Sequence, residues 1–173
     1  MLIVYTNKNH TTFVPTNIVN TNMKIEEAIK SSVSMCNSKK AILNVIYTHN
    51  IVSDYFAETL KPYDLSSEQF NVLRILRGQK GSPANMSLIQ ERMIAKTSNT
   101  TRLVDKLLLK QLVTREVCPN NRRKMEVLIT VKGLELLAEL DPKVEQYENN
   151  FAKNLTEKEL EQFNNLLEKF RTI

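Results

Sequence analysis

The stretch from Asn85 to Leu128 constrains this chain more than any other. It reads as a short helix, a turn, a second helix, and two strands joined by an arginine-rich tip. In the second helix, Thr97 to Gln111, the apolar residues Leu103, Val104, Leu107, Leu108 and Leu112 recur at three- and four-residue spacing, which places them on one side. Ser98, Asn99, Thr101, Arg102, Asp105 and Lys106 fall on the other. Short hydroxyl and amide side chains followed by arginine suit a DNA major groove. The first reach base edges or phosphates, and a guanidinium can hold guanine O6 and N7 with two bonds.

Charge distribution supports a polyanionic partner more than the total does. The chain has a net charge of +5 and an isoelectric point near 9.2, both mild. Between Ser82 and Lys132, however, ten basic residues face four acidic ones, whereas residues 133–173 carry five against nine. The positive charge is concentrated on the helix–turn–helix stretch, where neutralised phosphates would release counterions. A solvated helical surface is the plainer reading of the same charges.

The rest of the chain reads as helical. A 42% hydrophobic content with only three Gly and five Pro favours a mainly α protein. Residues 1–22 are rich in Thr and Asn and lack sustained periodicity. They are expected to be an extension, disordered or foreign to the natural chain, with Met23 as an alternative start. From Ile25 to about Leu60 a helix in one or two pieces presents Ala41, Val45, Thr48, Val52, Tyr55, Phe56 and Thr59, and Pro62 ends it. Ser66 to Gln69 is a capping box for a helix burying Phe70, Leu73, Ile75 and Leu76. Asn85 caps Met86 to Ile94, whose core residues are Ile89 and Met93, and Thr97 or Ser98 is expected to cap the next helix.

Val113–Val117 and Met125–Ile129 read as strands, with a polar tip at Pro119–Lys124. Thr130 caps a long helix with Leu134, Leu137, Val144 and Tyr147 on its core side. Asp141-Pro142 is expected to kink or restart it. Thr156 to Glu159 is a second capping box, and Leu160, Phe163, Leu166, Leu167 and Phe170 form the stripe of the last helix.

Two helices, two strands with a basic tip, and a helix opening on Thr-x-x-Gly make a winged helix–turn–helix. The details resemble the MarR family of bacterial transcription regulators. The residues that carry this are Thr101 to Leu107 with Gln111-Leu112-Val113, then Arg115, Asn121-Arg122-Arg123 and Ile129-Thr130-Val131-Lys132-Gly133. The likeness runs from Met23 to Phe170. Two departures stand out. Asn121 replaces the usual Asp, which loosens the hold on a wing arginine, and Gln111 replaces the usual Gly, which suggests a less strained helix end.

The resemblance implies a homodimer on double-stranded DNA, with terminal helices interlocked and two winged heads on a pseudopalindromic operator. It divides the chain into residues 23–62, an N-terminal dimerisation helix region; 63–132, the DNA-binding domain; and 133–173, the C-terminal dimerisation helices. A last helix with two Phe and several Leu on one stripe needs a cover, which a dimer supplies; packing on Ile25–Leu60 is the alternative.

Ser98, Asn99, Thr101 and Arg102 are the expected groove-facing residues. Lys96 and Lys106 are expected on phosphates, and Arg122, Arg123 and Lys124 form the cationic wing tip, with the two arginines directed at a minor groove. Asp105 is expected to orient an arginine. Family members often respond to a small phenolic or lipophilic effector. Tyr47, Tyr55, Phe56 and Tyr63 are candidates for lining such a pocket, with core packing the simpler role.

A cytoplasmic sequence-specific regulator, acting as a repressor, is the expected function. A thiol sensor of the same fold is one alternative. One branch of the family uses a cysteine whose equivalent falls near Ile42, where this chain has none; Cys36 lies instead beside Lys39 and Lys40, whose charges would lower its pKa. A helical interaction module without DNA binding is the other. Cys36 and Cys118 are too few for a disulfide framework. Neither His10 nor His49 joins a metal-ligand spacing, and no catalytic constellation or cofactor motif is present. Leu2–Tyr5 is too short for a signal core, and no apolar run approaches a membrane span.

Overall fold

The computed structural model describes residues 23–118 and 121–172; for Cys118 and residues 121–124 it describes the backbone. The expected extension, residues 1–22, lies outside the described residues. Helix α1 is a single turn, Ile25–Ala28, followed by α2, Asn37–Leu60. A 3-10 turn, Lys61–Tyr63, leads to α3, Ser67–Arg77, then β1, Ala84–Asn85, α4, Met86–Arg92, and α5, Thr100–Leu109. The wing is β2, Val113–Cys118, and β3, Asn121–Ile129; α6, Val131–Ala152, and α7, Glu157–Phe170, complete the chain. The chain divides into two compact units within α2, between Asn50 and Ile51.

Local capping accounts for most of these boundaries. Ser66 and Gln69 form the reciprocal box that opens α3 (3.0 and 3.2 Å). Thr156 and Glu159 do the same for α7 (2.8 and 3.3 Å). The side chain of Asn85 accepts from the Leu88 N–H at 2.9 Å to start α4, and Thr130 accepts from the Gly133 N–H at 3.1 Å to start α6. Each satisfies a donor that a helix N-terminus would otherwise leave open.

In the larger unit the core joins Leu73 and Leu76 of α3, Ile89 of α4, Val104 and Leu107 of α5, and Leu137 and Leu140 of α6. Val72 and Leu140, both fully buried, belong to this core although the sequence reading passed over them. Leu134, expected inside, is 40% exposed; it lies in the first full turn of α6, ahead of the segment that meets α3. The sheet has the order β1-β3-β2. The two-residue β1, which no hydrophobic alternation announced, pairs Ala84 with Val127 and Asn85 with Glu126.

Helix α6 runs unbroken through Pro142, so the expected restart does not occur. Proline removes a backbone donor and crowds the preceding turn. Buried residues on both sides, Leu140 and Val144, hold the helix in one piece across it. Helices α2 and α7 bury little of their apolar surface. Leu60 alone is buried in α2, with Ile42 and Ile46 more than half exposed, and α7 has no buried residue at all. The face expected along α2 is therefore only partly covered: Val45 and Thr48 are exposed, and Val52, Tyr55, Phe56 and Thr59 are half-buried.

The exit from α5 is where sequence and structure differ most instructively. The Gln111 N–H bonds the Leu108 carbonyl at 2.9 Å and the Leu112 N–H bonds the Leu107 carbonyl at 3.0 Å, the two bonds of a Schellman end. Gln111 sits at φ +61°, in the left-handed region where a side chain is disfavoured. The less strained end expected from having Gln rather than Gly is thus not what forms: the geometry is the one glycine serves best, and Gln111 occupies it. Directly beyond, the Thr130 hydroxyl donates to the Gln111 carbonyl (2.9 Å) and the Thr130 N–H to the Leu112 carbonyl (3.1 Å). A Cβ placed on Gly133 would lie 2.4 Å from that same Leu112 oxygen, which explains the Thr-x-x-Gly opening of α6.

Two stability changes of opposite sign follow. Gln111→Gly should raise the free energy of unfolding by about 1 kcal/mol by relieving the left-handed conformation. Gly133→Ala should lower it by about 1–3 kcal/mol, since backbone rather than a flexible side chain must move. Urea unfolding of the two variants beside the parent checks both, and equal midpoints for all three proteins would contradict this account of the joint.

Candidate nucleic-acid interface

Helices α4 and α5 are held by a polar stitch that the hydrophobic periodicity does not reveal. The Gln90 Nε2 donates to the Lys96 carbonyl at 2.8 Å, and its oxygen accepts from the hydroxyl of Thr100, which is buried. The Ile94 N–H donates to Asn71 Oδ1 of α3 at 2.9 Å, and the Lys96 ammonium closes onto the Glu91 carbonyl. Thr100 is not one of the residues that the sequence singles out. Its spacing to Val104 and Leu107, four and seven residues on, is the signal that assigns it to the inner face.

The helix begins later than its sequence suggests. Asn99, rather than Thr97 or Ser98, is the cap: its side chain accepts from the Arg102 N–H at 3.1 Å, and α5 starts at Thr100. The amide oxygen of Asn99, three residues before the open Arg102 N–H, supplies the acceptor that this helix start needs. Thr101, Arg102 and Lys106 project outward and are exposed, Asn99 is exposed beside them, and Ser98 is half-buried in the turn. On the inner side Val104 and Leu107 are buried, and Leu103 and Leu108 pack against the core.

The cations of this surface fall into two groups. Some are paired: Lys110 with the Asp64 carboxylate at 2.8 Å, and Arg115 of β2 with Asp105 of α5 at 2.7 Å. Lys132 is occupied too, donating to the Lys110 carbonyl at 3.0 Å. Lys110 holds the Asp64 carboxyl below its ordinary range. The Asp105–Arg115 pair ties the outward helix to the wing, the arginine-orienting role expected of Asp105. Being half-exposed it adds well under about 1 kcal/mol to stability, so its contribution is geometric. Arg102 and Lys106 make no ion pair among the described residues.

In the wing, β2 and β3 pair in one antiparallel register from Val113–Ile129 to Val117–Met125, and the next pair is Cys118–Asn121. Arg122, Arg123 and Lys124 are therefore three residues of β3 without opposite numbers in β2. The sequence reading had them in the turn; the backbone assigns them to the strand. Their side chains lie outside the described residues, as do Pro119 and Asn120.

Three of the four aromatic residues expected to line an effector pocket are engaged in packing. Tyr55 meets Phe151 edge-on at 5.7 Å, and Phe56 contacts Phe70 and Tyr147 at 5.4 and 5.1 Å. The Tyr63 hydroxyl donates to Glu139 at 2.7 Å. Tyr47, in the other unit, is half-buried. An open groove of about 640 Å³ in the larger unit is lined by Lys61, Leu65, Gln69, Lys106 and Leu109 among others, and by none of these aromatics. Cys36 is exposed and free. Its thiol pKa is lowered first by the hydrogen bond to Ser38 and then by the Lys39 backbone. The cause is local hydrogen bonding, where the sequence reading had invoked lysine charge. Lys40 is instead paired with Glu26.

Among the described residues no cluster of His, Cys, Asp and Glu could hold a metal ion, and no helix is long and apolar enough to cross a membrane. Removing the stitch should be measurable. Gln90→Ala leaves the buried Thr100 hydroxyl without its partner and should destabilise by about 1–3 kcal/mol. Chemical denaturation measures the loss, and the double variant Gln90→Ala/Thr100→Val should recover part of it.

A family model described as MarR matches residues 65–125, from the entry to α3 through the first part of β3. The HTH-type transcriptional regulator MhqR of Bacillus subtilis (strain 168) is 25% identical over 132 residues, covering 76% of this chain and 90% of MhqR. A MarR transcription factor from Planctomyces limnophilus is 30% identical with a TM-score of 0.61, covering 79% of this chain and 98% of that one. A mutant MarR from E. coli, solved in complex with operator DNA, is 24% identical with a TM-score of 0.68, covering 80% and 99%. With its α4–turn–α5 unit, its wing and these relatives, the chain belongs to the MarR family of winged helix–turn–helix transcription regulators.

Proposed function

We propose that a dimer of this chain binds duplex DNA sequence-specifically and represses transcription, with α5 in the major groove of each half-site and the wing against the adjacent minor groove. The observation that carries this reading is the outer face of α5. Thr101, Arg102 and Lys106 are exposed there, and neither cation has an ion-pair partner among the described residues. The opposite face is sealed into the core. Arg102 suits bidentate contact with guanine, and Thr101 and Asn99 suit shorter-range contacts to bases or phosphate. Lys96 and Lys106 are assigned to the backbone. Arg122, Arg123 and Lys124 supply the wing's charge, where a narrow minor groove favours arginine. The operator complex of E. coli MarR, a protein of the same fold, supports this arrangement.

A dimer follows from what the single chain leaves uncovered. Phe163, Leu166 and Phe170 on α7 are 47, 65 and 48% exposed, and Ile42, Val45 and Ile46 on α2 are similarly open. Apolar faces of this kind mark association surfaces, and a two-fold dimer covers both copies at once. Residues 23–62 and 133–173 are accordingly assigned to the arms, and residues 63–132 to the DNA-binding head.

Selection of bound duplexes from a random pool tests the reading. The wild-type protein should return a pseudopalindrome and lose affinity steeply as salt rises. Arg102→Ala should weaken binding by about 1–3 kcal/mol and relax one base position in each half. Arg122→Ala should weaken binding chiefly at A·T-rich flanks. No enrichment, or an affinity indifferent to salt, rules the reading out.

A further inference from the structure

Every charged side chain between residues 139 and 143 of α6 is bound: Asp141 to Arg77 of α3, and Glu139 and Lys143, on either side of Pro142, to Tyr63 and to each other. Pro142 has no N–H, so the Ala138 carbonyl lacks its helical donor and the helix bends most easily at this turn. On the N-terminal side Leu137 and Leu140 share a core with Leu73 and Leu76 of α3. On the C-terminal side Tyr147 and Phe151 pack on Tyr55 and Phe56 of α2, and the Tyr147 hydroxyl donates to the Val52 carbonyl at 3.0 Å. Val144, also C-terminal to the proline, stays in the core shared with α3, and Phe56 meets Phe70 of α3, so the head packs on α6 on both sides of Pro142.

At that contact Arg77 grips Asp141 with both terminal nitrogens, at 2.7 and 2.9 Å, and Arg74 stands 3.6 Å from the same carboxylate. Tyr63 donates to Glu139 at 2.7 Å. The Lys143 ammonium bonds the Tyr63 hydroxyl and lies 4.7 Å from the centre of its ring. Burial of leucine and valine is not directional, whereas a planar two-bond fork favours one relative orientation of the groups that it joins.

We propose that Arg77 and Asp141 are positioning residues that hold the angle at which α3 of the winged head packs on α6, and so set the half-site spacing that the dimer accepts. The inference rests on the proposed dimeric DNA binding. Neither residue belongs to the surface assigned to DNA. The leverage is large: a tilt of about 10° at the contact of α3 with α6 moves a point about 20 Å away by about 3.5 Å, the rise of one base-pair step.

The test uses Asp141→Asn, which keeps the shape of the side chain and removes its charge, and Asp141→Glu, which restores the charge. The duplex selected by the wild-type protein is rebuilt with its halves one and two base pairs closer or farther apart. Wild type should prefer one spacing by about tenfold or more. Asp141→Asn should flatten that preference and leave affinity for a single half-site unchanged, and Asp141→Glu should recover most of it. A merely structural loss would weaken every duplex alike.

A second measurement is independent of DNA. Spin labels at Ser87→Cys and Asn150→Cys, in a Cys36→Ser/Cys118→Ser background diluted with unlabelled chain, report the distance from head to α6 within one subunit. That distribution should be narrow in the parent and broad with Asp141→Asn. Should Asp141→Asn not fold, Arg77→Lys, which keeps the charge and loses the fork, carries the same expectations. Unchanged spacing preference, or an unchanged distance distribution, overturns the proposal. A wild-type protein that selects no duplex defeats the DNA-binding reading, and the label distances then decide the clamp alone.

Discussion

The docking of the end of α5 onto the start of α6 is the constraint on which the rest depends. Two carbonyls at the end of one helix, those of Gln111 and Leu112, are satisfied by a single threonine at the start of another, Thr130. The approach is close enough that residue 133 has to be glycine. These bonds fix the roll of α5 about its own axis. The roll decides which side chains reach outward, so the chemistry of the exposed face of α5 is decided at the far end of the helix. The Asp105–Arg115 pair then transmits that orientation to β2. Head, wing and long helix are thereby referred to one corner of the molecule.

Around that corner the cations divide by task. Lys110, Arg115 and Lys132 are consumed in holding the elements together, whereas Arg102 and Lys106 make no ion pair among the described residues. A count of basic residues along the sequence cannot separate these groups, because pairing depends on carboxylates and carbonyls brought in from elsewhere in the chain. The excess of positive charge between Ser82 and Lys132 therefore does not by itself say which of these cations are left unpaired.

Much of the fold was legible because capping is local. Ser66, Asn85, Thr130 and Thr156 each act within three residues of themselves, and each was readable as a helix start. The apolar stripe of α5 was equally plain, since its period alone assigns the inner face. What escaped needed information from a distance. The start of α5 turned on competition among Thr97, Ser98 and Asn99, which the geometry of the preceding turn decides. Pro142 stays helical because Leu140 and Val144 are buried on either side of it, and no local rule reports that. The brief β1 exists because β3 offers it an edge. Gln111 shows the limit most clearly: a residue poorly suited to its conformation was read as evidence against that conformation, whereas the docking of Thr130 enforces it. At the candidate site, Thr101, Arg102 and Lys106 were readable from helical phase, and the Gln90–Thr100 stitch behind them was not.

The wing's regular ladder runs as far as the Val117–Met125 pair, and the basic triplet lies in the irregularity between it and the next pair, Cys118–Asn121. Because the side-chain alternation of a strand repeats every two residues, a length change within the ladder would turn core-facing residues such as Val127 outward. Beyond that last regular pair no such penalty applies. Residues can be added to or removed from the Arg122–Lys124 segment without shifting the register behind it. The reach and charge of the wing are thus free to diverge between descendants of this gene while the folded head stays the same, a modular boundary drawn by strand pairing alone.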